Sequence, residues 1–203
     1  MVEGDNKMKV LIACEYSGIV RDAFTKKGHD ATSCDILPTE SKGKHYKGDV
    51  LDILDDGWDL MIAHPPCTHL SVSGARWFTS GYKPIHLRDD AIEFVRKLMD
   101  APIDKIAIEN PVSVISSYIR KSDQLIHPYH FGEPVVKSTC LWLKNLPKLQ
   151  HTNIVEPEYV YSKTGRKWSK WFWETSCLPV NERGKARSRF WHGIADAMAD
   201  QWG

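Results

Sequence analysis

The sequence predicts an α/β fold built on a doubly wound parallel sheet. Four short apolar runs have the length and composition of buried strands: residues 9–14, 30–36, 59–63 and 103–108. Two segments between them have apolar residues at helical spacing: 19–27 and 84–99. This alternation is typical of a parallel sheet with helices on its faces, and 203 residues are enough for one such domain.

The composition indicates a globular protein of a reducing compartment. Charged residues make up 26% of the chain and hydrophobic residues 42%, and no run approaches the roughly 18 apolar residues of a transmembrane helix. Residues 1–7 are polar, so we expect a disordered leader there and not a signal peptide. The five cysteines are odd in number and scattered, which favours free thiols in the cytoplasm.

Positive charge is concentrated towards the end of the chain. The net charge is +1, but residues 163–189 carry eight lysine and arginine residues against two glutamates, a balance of +6 that leaves −5 for the rest. In the same region basic residues alternate with aromatic ones: Lys167, Trp168, Lys170 and Trp171. The pattern suits pairing with phosphates and stacking on bases, and rings that cover an apolar core edge are the alternative.

The first strand–helix–strand unit has the features of a nucleoside site. Ser17-Gly18 forms a turn after the first strand, and Asp35 lies at the tip of the second. A glycine there lets the backbone approach a ligand, and the carboxylate accepts hydrogen bonds from ribose hydroxyls. The G-x-G-x-x-G fingerprint of dinucleotide sites is absent, so the unit favours S-adenosylmethionine over NAD. A unit without any ligand is the alternative.

The third predicted strand leads directly to a cysteine. Pro65-Pro66 ends that strand, because proline cannot donate a ladder hydrogen bond, and Cys67 follows on a stiff turn. Ligands of open α/β sheets bind outside the carboxyl ends of the strands, which is where this places Cys67. A metal site made by His64, Cys67 and His69 is an alternative, although no fourth ligand is evident.

Polar residues also follow the other predicted strands. Asp49 is expected at the tip of a strand or loop facing the same crevice, and Glu109-Asn110 closes the strand at 103–108. Residues 72–84, with Arg76, are expected to form an irregular loop that covers the site, binds substrate or simply connects two elements. The remaining predictions are a short helix at 112–120, strands at 124–131 and 139–143, and a C-terminal helix at 189–202.

In this order, the features resemble those of the cytosine-C5 DNA methyltransferases. The shared features are the glycine turn, two acids at strand ends, the Pro66-Cys67 pair and the Glu109-Asn110 pair. The similarity extends over about residues 9–146, and residues 188–202 show a weaker similarity. It implies the Rossmann-like, doubly wound sheet of class I S-adenosylmethionine-dependent methyltransferases. Lys137-Ser138-Thr139 and the compact length resemble small phage-borne members of that family.

The resemblance implies a set of site residues and excludes a metal. Cys67 matches the family's nucleophile and Glu109 its ring-contacting acid, so these two are the expected catalytic residues. The residues expected to bind the cofactor, S-adenosylmethionine, are Tyr16, Ser17, Gly18, Asp35, Asp49 and Pro66. The residues expected to bind substrate are Ser71, Arg76, Asn110, Lys137, Thr139, Lys167, Trp168, Lys170 and Trp171.

Two departures from the family bear on the substrate. The Gln-x-Arg-x-Arg segment that supports the base is absent, and Lys137 and Thr139 lie in the corresponding place. The target-recognition domain is reduced to residues 147–185, between a catalytic domain at 1–146 and a C-terminal helix at 186–203 that is expected to pack back on it.

The implied reaction is methyl transfer to C5 of cytosine in duplex or single-stranded DNA. The Cys67 thiolate would add to C6 of the base, and a protonated Glu109 would stabilise the ring, which calls for a lowered pKa at Cys67 and a raised pKa at Glu109. Two alternatives remain: a methyltransferase acting on RNA or a free pyrimidine nucleotide, and a catalytically silent nucleic-acid-binding protein. The expected location is the cytoplasm, that of the host if the protein is phage-encoded.

Overall fold

A seven-stranded sheet runs through the computed structural model, which describes residues 7–203; the leader predicted at 1–7 therefore lies, apart from Lys7, outside the described residues. The strands of the sheet are β1 (Lys9–Ala13), β2 (Asp30–Asp35), β3 (His45–Lys47), β4 (Leu60–Ala63), β5 (Lys105–Pro111), β6 (Gln124–Ile126) and β7 (Thr139–Lys144). Their spatial order is β3-β2-β1-β4-β5-β7-β6, and only β7 runs antiparallel to its neighbours. A separate hairpin pairs β8 (Tyr159–Tyr161) with β9 (Lys167–Ser169).

Helices cover both faces of the sheet. They are α1 (Ile19–Lys26), α2 (Arg76–Thr79), α3 (His86–Met99), α4 (Ile115–Tyr118), α5 (Lys170–Cys177), α6 (Val180–Ser188) and α7 (His192–Trp202). Helices α1 and α7 pack with Val10 and Ile12 on one face, and α3 packs with Leu11 and Ala13 on the other. The central strands are thus buried on both sides, as the continuous apolar runs predict.

The strand order and helix placement confirm the predicted fold class, a Rossmann-like, doubly wound α/β sheet of the class I methyltransferase type. The observed bounds of β1, β2, β4, α1 and α3 lie within a residue or two of those predicted. None of the helices in the described part of the chain is long and apolar enough to cross a membrane.

Four predicted elements differ from the structure. The strand predicted at 103–108 begins later and continues through Pro111, because β7 supplies antiparallel partners as far as Thr139. The helix predicted at 112–120 is therefore a single turn, α4. The strand predicted at 124–131 stops at Ile126, since Pro128 opens a 3-10 turn. The C-terminal helix begins at His192, three residues later than predicted.

Two segments are more ordered than the sequence indicated. The loop predicted at 72–84 contains a 3-10 turn, Val72–Gly74, and the one-turn helix α2. The basic segment within 147–185 holds the β8–β9 hairpin and α5, and α6 extends beyond it. Their apolar positions are too sparse for a periodic pattern, and α6 has no buried residue.

Candidate active site

Cys67 lies at the carboxyl end of β4, as predicted, where it begins a 3-10 turn. Its carbonyl oxygen accepts hydrogen bonds from the amides of Leu70 (3.1 Å) and Ser71 (2.9 Å), which close the turn. The buried Asn110 side chain donates through Nδ2 to the Pro65 carbonyl at 2.8 Å, so β5 holds the two-proline segment in place. The cysteine is thus presented on a turn that is tied to the neighbouring strand.

Glu109 lies beside this turn, on β5. Ala63 pairs with Ile108 in the parallel ladder of β4 and β5, so the residues that follow, His64 and Glu109, are neighbours across the ladder. Their side chains form a hydrogen bond, with His64 Nδ1 and Glu109 Oε2 3.1 Å apart. The two side chains are 12% and 10% exposed. The structure brings a carboxyl, an imidazole and a thiol to one end of two adjacent strands.

In the substrate-free protein, the pKa of Glu109 is set by its neighbours. Burial raises the pKa of a carboxyl, but the hydrogen bond from His64 and the charges of Lys137 and His64 outweigh burial here. The pKa of Glu109 is therefore lowered, and the carboxyl is ionised in the free protein at neutral pH. The raised pKa expected of a proton donor depends on burial against the base, so it stays a prediction for the occupied site.

The Cys67 thiol departs from the expectation of a lowered pKa. The residue is exposed as a whole, yet partial desolvation of its thiol, followed by the Glu109 carboxylate, raises its pKa. Lys137 acts in the opposite direction but does not reverse the shift. Cys67 is therefore held mainly as the thiol at neutral pH, and neutralising Glu109 would remove one of the two causes of the raised pKa.

This coupling gives a direct prediction for alkylation of Cys67. In the wild type, the midpoint of the pH dependence of iodoacetamide labelling should lie above that of an ordinary cysteine. Glu109→Gln should move the midpoint to lower pH, because the carboxylate is gone, but not to the ordinary value, because desolvation remains. Lys137→Met should move it to higher pH. The readout is the labelled fraction at Cys67 by mass spectrometry, and an unchanged midpoint in Glu109→Gln would contradict the coupling.

Lys137 and Thr139 lie beside the same two groups. Lys137 is half-buried, its Nζ donates to the Arg187 carbonyl at 3.4 Å, and it lies 5.7 Å from the centre of the Trp171 ring. Thr139 is buried on β7 opposite Pro111, and its hydroxyl donates to the Lys137 carbonyl. Lys137 thus acts on both Cys67 and Glu109 through its charge, and it contacts two further predicted substrate residues, Thr139 and Trp171.

The loop after β1 forms a tight turn at the N-terminus of α1. Gly18 has φ +78°, and a side chain there would collide with Ser41 and Arg21. The Glu15 carboxylate is buried and accepts hydrogen bonds from the Val20 amide at 2.7 Å and the Arg21 amide at 3.2 Å. Glu15 thus caps the first turn of α1, where a negative charge is favoured.

Tyr16 and Ser17, also predicted to bind the cofactor, flank this turn. Ser17 Oγ donates to Glu15 Oε1 at 3.2 Å, within the loop. Tyr16 reaches further, and its hydroxyl lies 3.1 Å from Ser188 Oγ at the end of α6. The loop is thereby joined to the C-terminal part of the chain.

The two predicted cofactor acids face one crevice. Asp35 and Asp49 each use one carboxylate oxygen to accept a nearby backbone amide, from Leu37 at 2.9 Å and from Leu51 at 3.0 Å. Burial, followed by Asp35, Cys34 and Asp49, raises the pKa of the Cys14 thiol, which places both acids around the end of β1. The second carboxylate oxygen of each acid accepts no hydrogen bond from the described residues.

For three other predicted substrate residues, Lys167, Trp168 and Lys170, the described residues show no contact with Cys67 or Glu109. Lys170 pairs with Glu158 at 2.7 Å, Trp168 stacks on Phe172, and Lys167 lies over the Tyr159 ring. These contacts keep the three within the β8–β9 hairpin and α5. Two further predicted residues are in the segment after Cys67, with Ser71 Oγ next to Ser73 Oγ and Arg76 stacked on Trp77. Pro66 is exposed next to Cys67.

Sequence reasoning missed three members of the site region. Glu15 was predicted only as part of the loop, and Phe190 only as one apolar position of the final helix. For His64 the sequence predicted a turn residue that could help to lower the pKa of Cys67, or a metal ligand, but no contact with Glu109. In the structure Phe190 packs on the His64 ring, with centroids 4.5 Å apart. An acid two residues after a strand and three before a glycine was a local signal for Glu15. The contact between His64 and Phe190 joins residues that are far apart in the sequence, so no local sequence signal could have predicted it.

Metal ligation by His64, Cys67 and His69 finds no support. Among residues 7–203 there is no group of three or more histidine, cysteine, aspartate or glutamate side chains placed to hold a metal ion.

Comparisons with known proteins give structural neighbours only. No protein-family model and no curated protein matches this sequence. A prophage-encoded E. coli protein described as a DNA modification methyltransferase matches with 13% identity and a TM-score of 0.48, over 74% of this chain and 52% of its own. WbdD, crystallised with a kinase inhibitor, matches with 14% identity and a TM-score of 0.40, over 89% and 48%. The chain spans about half the length of both structures, and the fold assignment rests on its own strand order.

Proposed function

We propose that this protein transfers a methyl group from S-adenosylmethionine to C5 of cytosine in DNA, through a covalent adduct of Cys67 with C6. The observation that carries the proposal is the pairing of Cys67 and Glu109 at the carboxyl ends of two adjacent parallel strands. A thiol and a carboxyl that influence each other's protonation suit addition to a ring that must be activated on two sides.

In this mechanism the thiolate of Cys67 forms a covalent bond to C6 of the base. The protonated carboxyl of Glu109 donates a hydrogen bond to N3 of the same ring. The free site holds Cys67 as the thiol and Glu109 as the carboxylate, so one proton must move before the bond can form. Burial of Glu109 by an entering base favours its neutral form, and loss of that negative charge favours the thiolate. C5 then becomes nucleophilic and would take the methyl group that S-adenosylmethionine supplies, with S-adenosylhomocysteine as the leaving group. Loss of the C5 proton to solvent and elimination of the Cys67 thiolate would then release 5-methylcytosine.

The crevice at β1–β3 fits S-adenosylmethionine, which when bound supplies an electrophilic methyl group. Gly18 has φ +78°, which favours glycine, so the sharp turn beside this crevice depends on a residue without a side chain; Ser41 and Arg21 fill the space next to it. Asp35 and Asp49 each offer a free carboxylate oxygen for ribose or adenine donors. Ile36, next to Asp35, is 74% exposed and offers an apolar surface for a purine ring.

We propose that residues 147–185 bind the nucleic acid. This region lies along the chain between a catalytic domain at 1–146 and a C-terminal segment at 186–203. Phe172 and Trp173 are exposed aromatic residues on α5. Arg166 lies 4.1 Å from the Trp168 ring centre and Arg187 4.7 Å from that of Phe172. Such pairs provide cations for phosphates and rings for stacking, which favours DNA over a free nucleotide. RNA remains the second candidate on the same grounds.

The deciding experiment uses methyl-labelled S-adenosylmethionine with four acceptors: duplex DNA, single-stranded DNA, RNA and deoxycytidine nucleotides. We expect label in DNA, recovered as 5-methylcytosine after digestion to nucleosides. Label at adenine N6, or absence of S-adenosylmethionine binding by calorimetry, would refute the proposal. Transfer to RNA or nucleotides alone would change the substrate class but retain the chemistry.

A further inference from the structure

The imidazole of His64 is held tightly beside the Glu109 carboxyl. Its Nδ1 is 3.1 Å from Glu109 Oε2, its side chain is 12% exposed, and Phe190 covers the ring. Its Nε2 is buried and has no hydrogen-bond partner among residues 7–203. Phe190 immediately precedes Trp191, the N-cap residue of α7. The segment that leads into α7 therefore covers one side of the His64–Glu109 pair.

The protonation of the pair follows from its partners. The lowered pKa of Glu109 favours its ionised form, whose Oε2 can only accept, so we assign the hydrogen of this contact to His64 Nδ1. The second carboxylate oxygen, Oε1, accepts no hydrogen bond from the described residues and is not sealed from solvent. One oxygen is thus committed to His64 and the other is free.

We propose that His64 is the positioning residue of Glu109, with Nδ1–H fixing Oε2 so that Oε1 is the oxygen presented to the base. This inference rests on the proposed function for its catalytic meaning, but the pair itself exists without substrate. The orientation of the Glu109 carboxyl matters because its Oε1 must lie next to N3 of cytosine while Cys67 reaches C6 of the same ring. Misplacement of a catalytic group by about 1 Å can lower the rate about 100-fold.

The charged and titratable groups that face Glu109 come from three elements. They are His64 after β4, Cys67 in the following turn, and Lys137 and Cys140 before and on β7. Of these, His64 supplies the hydrogen bond that opposes burial, whereas Lys137 acts only through its charge. Removing the His64 donor should therefore let burial raise the pKa of Glu109.

The test is a carboxyl-carbon NMR titration of Glu109 in the substrate-free full-length protein, with the signal assigned from Glu109→Gln. In the wild type the midpoint should lie below the usual glutamate range. His64→Leu should raise it by at least one pH unit, whereas His64→Asn, whose Nδ2–H can replace Nδ1–H, should keep it low. His69→Asn is the matched control and should leave it unchanged. An identical midpoint in the wild type and His64→Leu would overturn the proposal.

A second readout connects the pair to chemistry. Adduct formation with 5-fluorocytosine DNA and S-adenosylmethionine should fall about 10- to 100-fold in His64→Leu and be restored to within about threefold of wild type in His64→Asn. A residue with only a packing role would give the opposite order, because leucine fills the space beside Phe190 better than asparagine. If wild type forms no adduct, the proposed function fails, while the titration still decides whether His64 positions Glu109.

Discussion

Cys67→Ser is expected to abolish methyl transfer to cytosine, with a loss of at least about 10³-fold. A serine hydroxyl stays protonated at neutral pH and adds to C6 far more slowly than a thiolate, so C5 is never activated. The surrounding turn should survive, since its hydrogen bonds run from the amides of Leu70 and Ser71 to the backbone carbonyl of residue 67 and not to its side chain. The measurement is label incorporated into 5-methylcytosine under single-turnover conditions.

Cys177→Ser is the matched control for this experiment. Cys177 is also a free, exposed cysteine, but it lies at the end of α5. Because Cys177 lies in the region proposed to bind DNA, the comparison is made at saturating DNA, where its replacement should leave the single-turnover rate of methyl transfer unchanged and the covalent adduct with 5-fluorocytosine DNA intact. Undiminished transfer by Cys67→Ser would refute covalent catalysis by this thiol, whatever its effect on DNA binding.

Gly193→Ala is expected to lower the free energy of unfolding by about 2 to 3 kcal/mol. Gly193 lies in the first turn of α7, where an added Cβ would overlap the Phe131 carbonyl oxygen. The helix would have to move away, which would also strain the 3.1 Å hydrogen bond from the Gly193 amide to Glu133 Oε1. Because α7 packs on α1 through the core, the loss should appear in global unfolding by urea.

The chain offers a matched glycine that lacks this contact. Gly184 is within α6, and a Cβ added there meets no atom within 4 Å. Gly184→Ala should therefore be neutral or raise stability by up to about 1 kcal/mol, since alanine favours the helix over glycine. Equal destabilisation by both substitutions would show that the collision at Phe131 is not the cause.

The sequence was sufficient for the sheet and for the residues at its strand ends. Continuous apolar runs around Ile12 and Ile62 indicate strands buried on both faces, and a proline pair ends one of them just before Cys67. These signals are local, because a run of consecutive apolar residues predicts burial on both faces and a proline shows directly where a backbone donor is lost. The length of β5 was not predictable, because its last residues are held by β7, a strand that comes 28 residues later.

What the sequence by itself determined was the fold class and the placement of Cys67 and Glu109 at neighbouring strand ends. Only the tertiary structure decided how those two groups are charged. His64 and Lys137 lower the pKa of Glu109 in the free protein, and Glu109 in turn adds to the burial that raises the pKa of Cys67, where the sequence predicted a lowered one. The physical reason is that a pKa depends on distance through space to charges and donors, and that distance follows from strand register and packing, not from chain order.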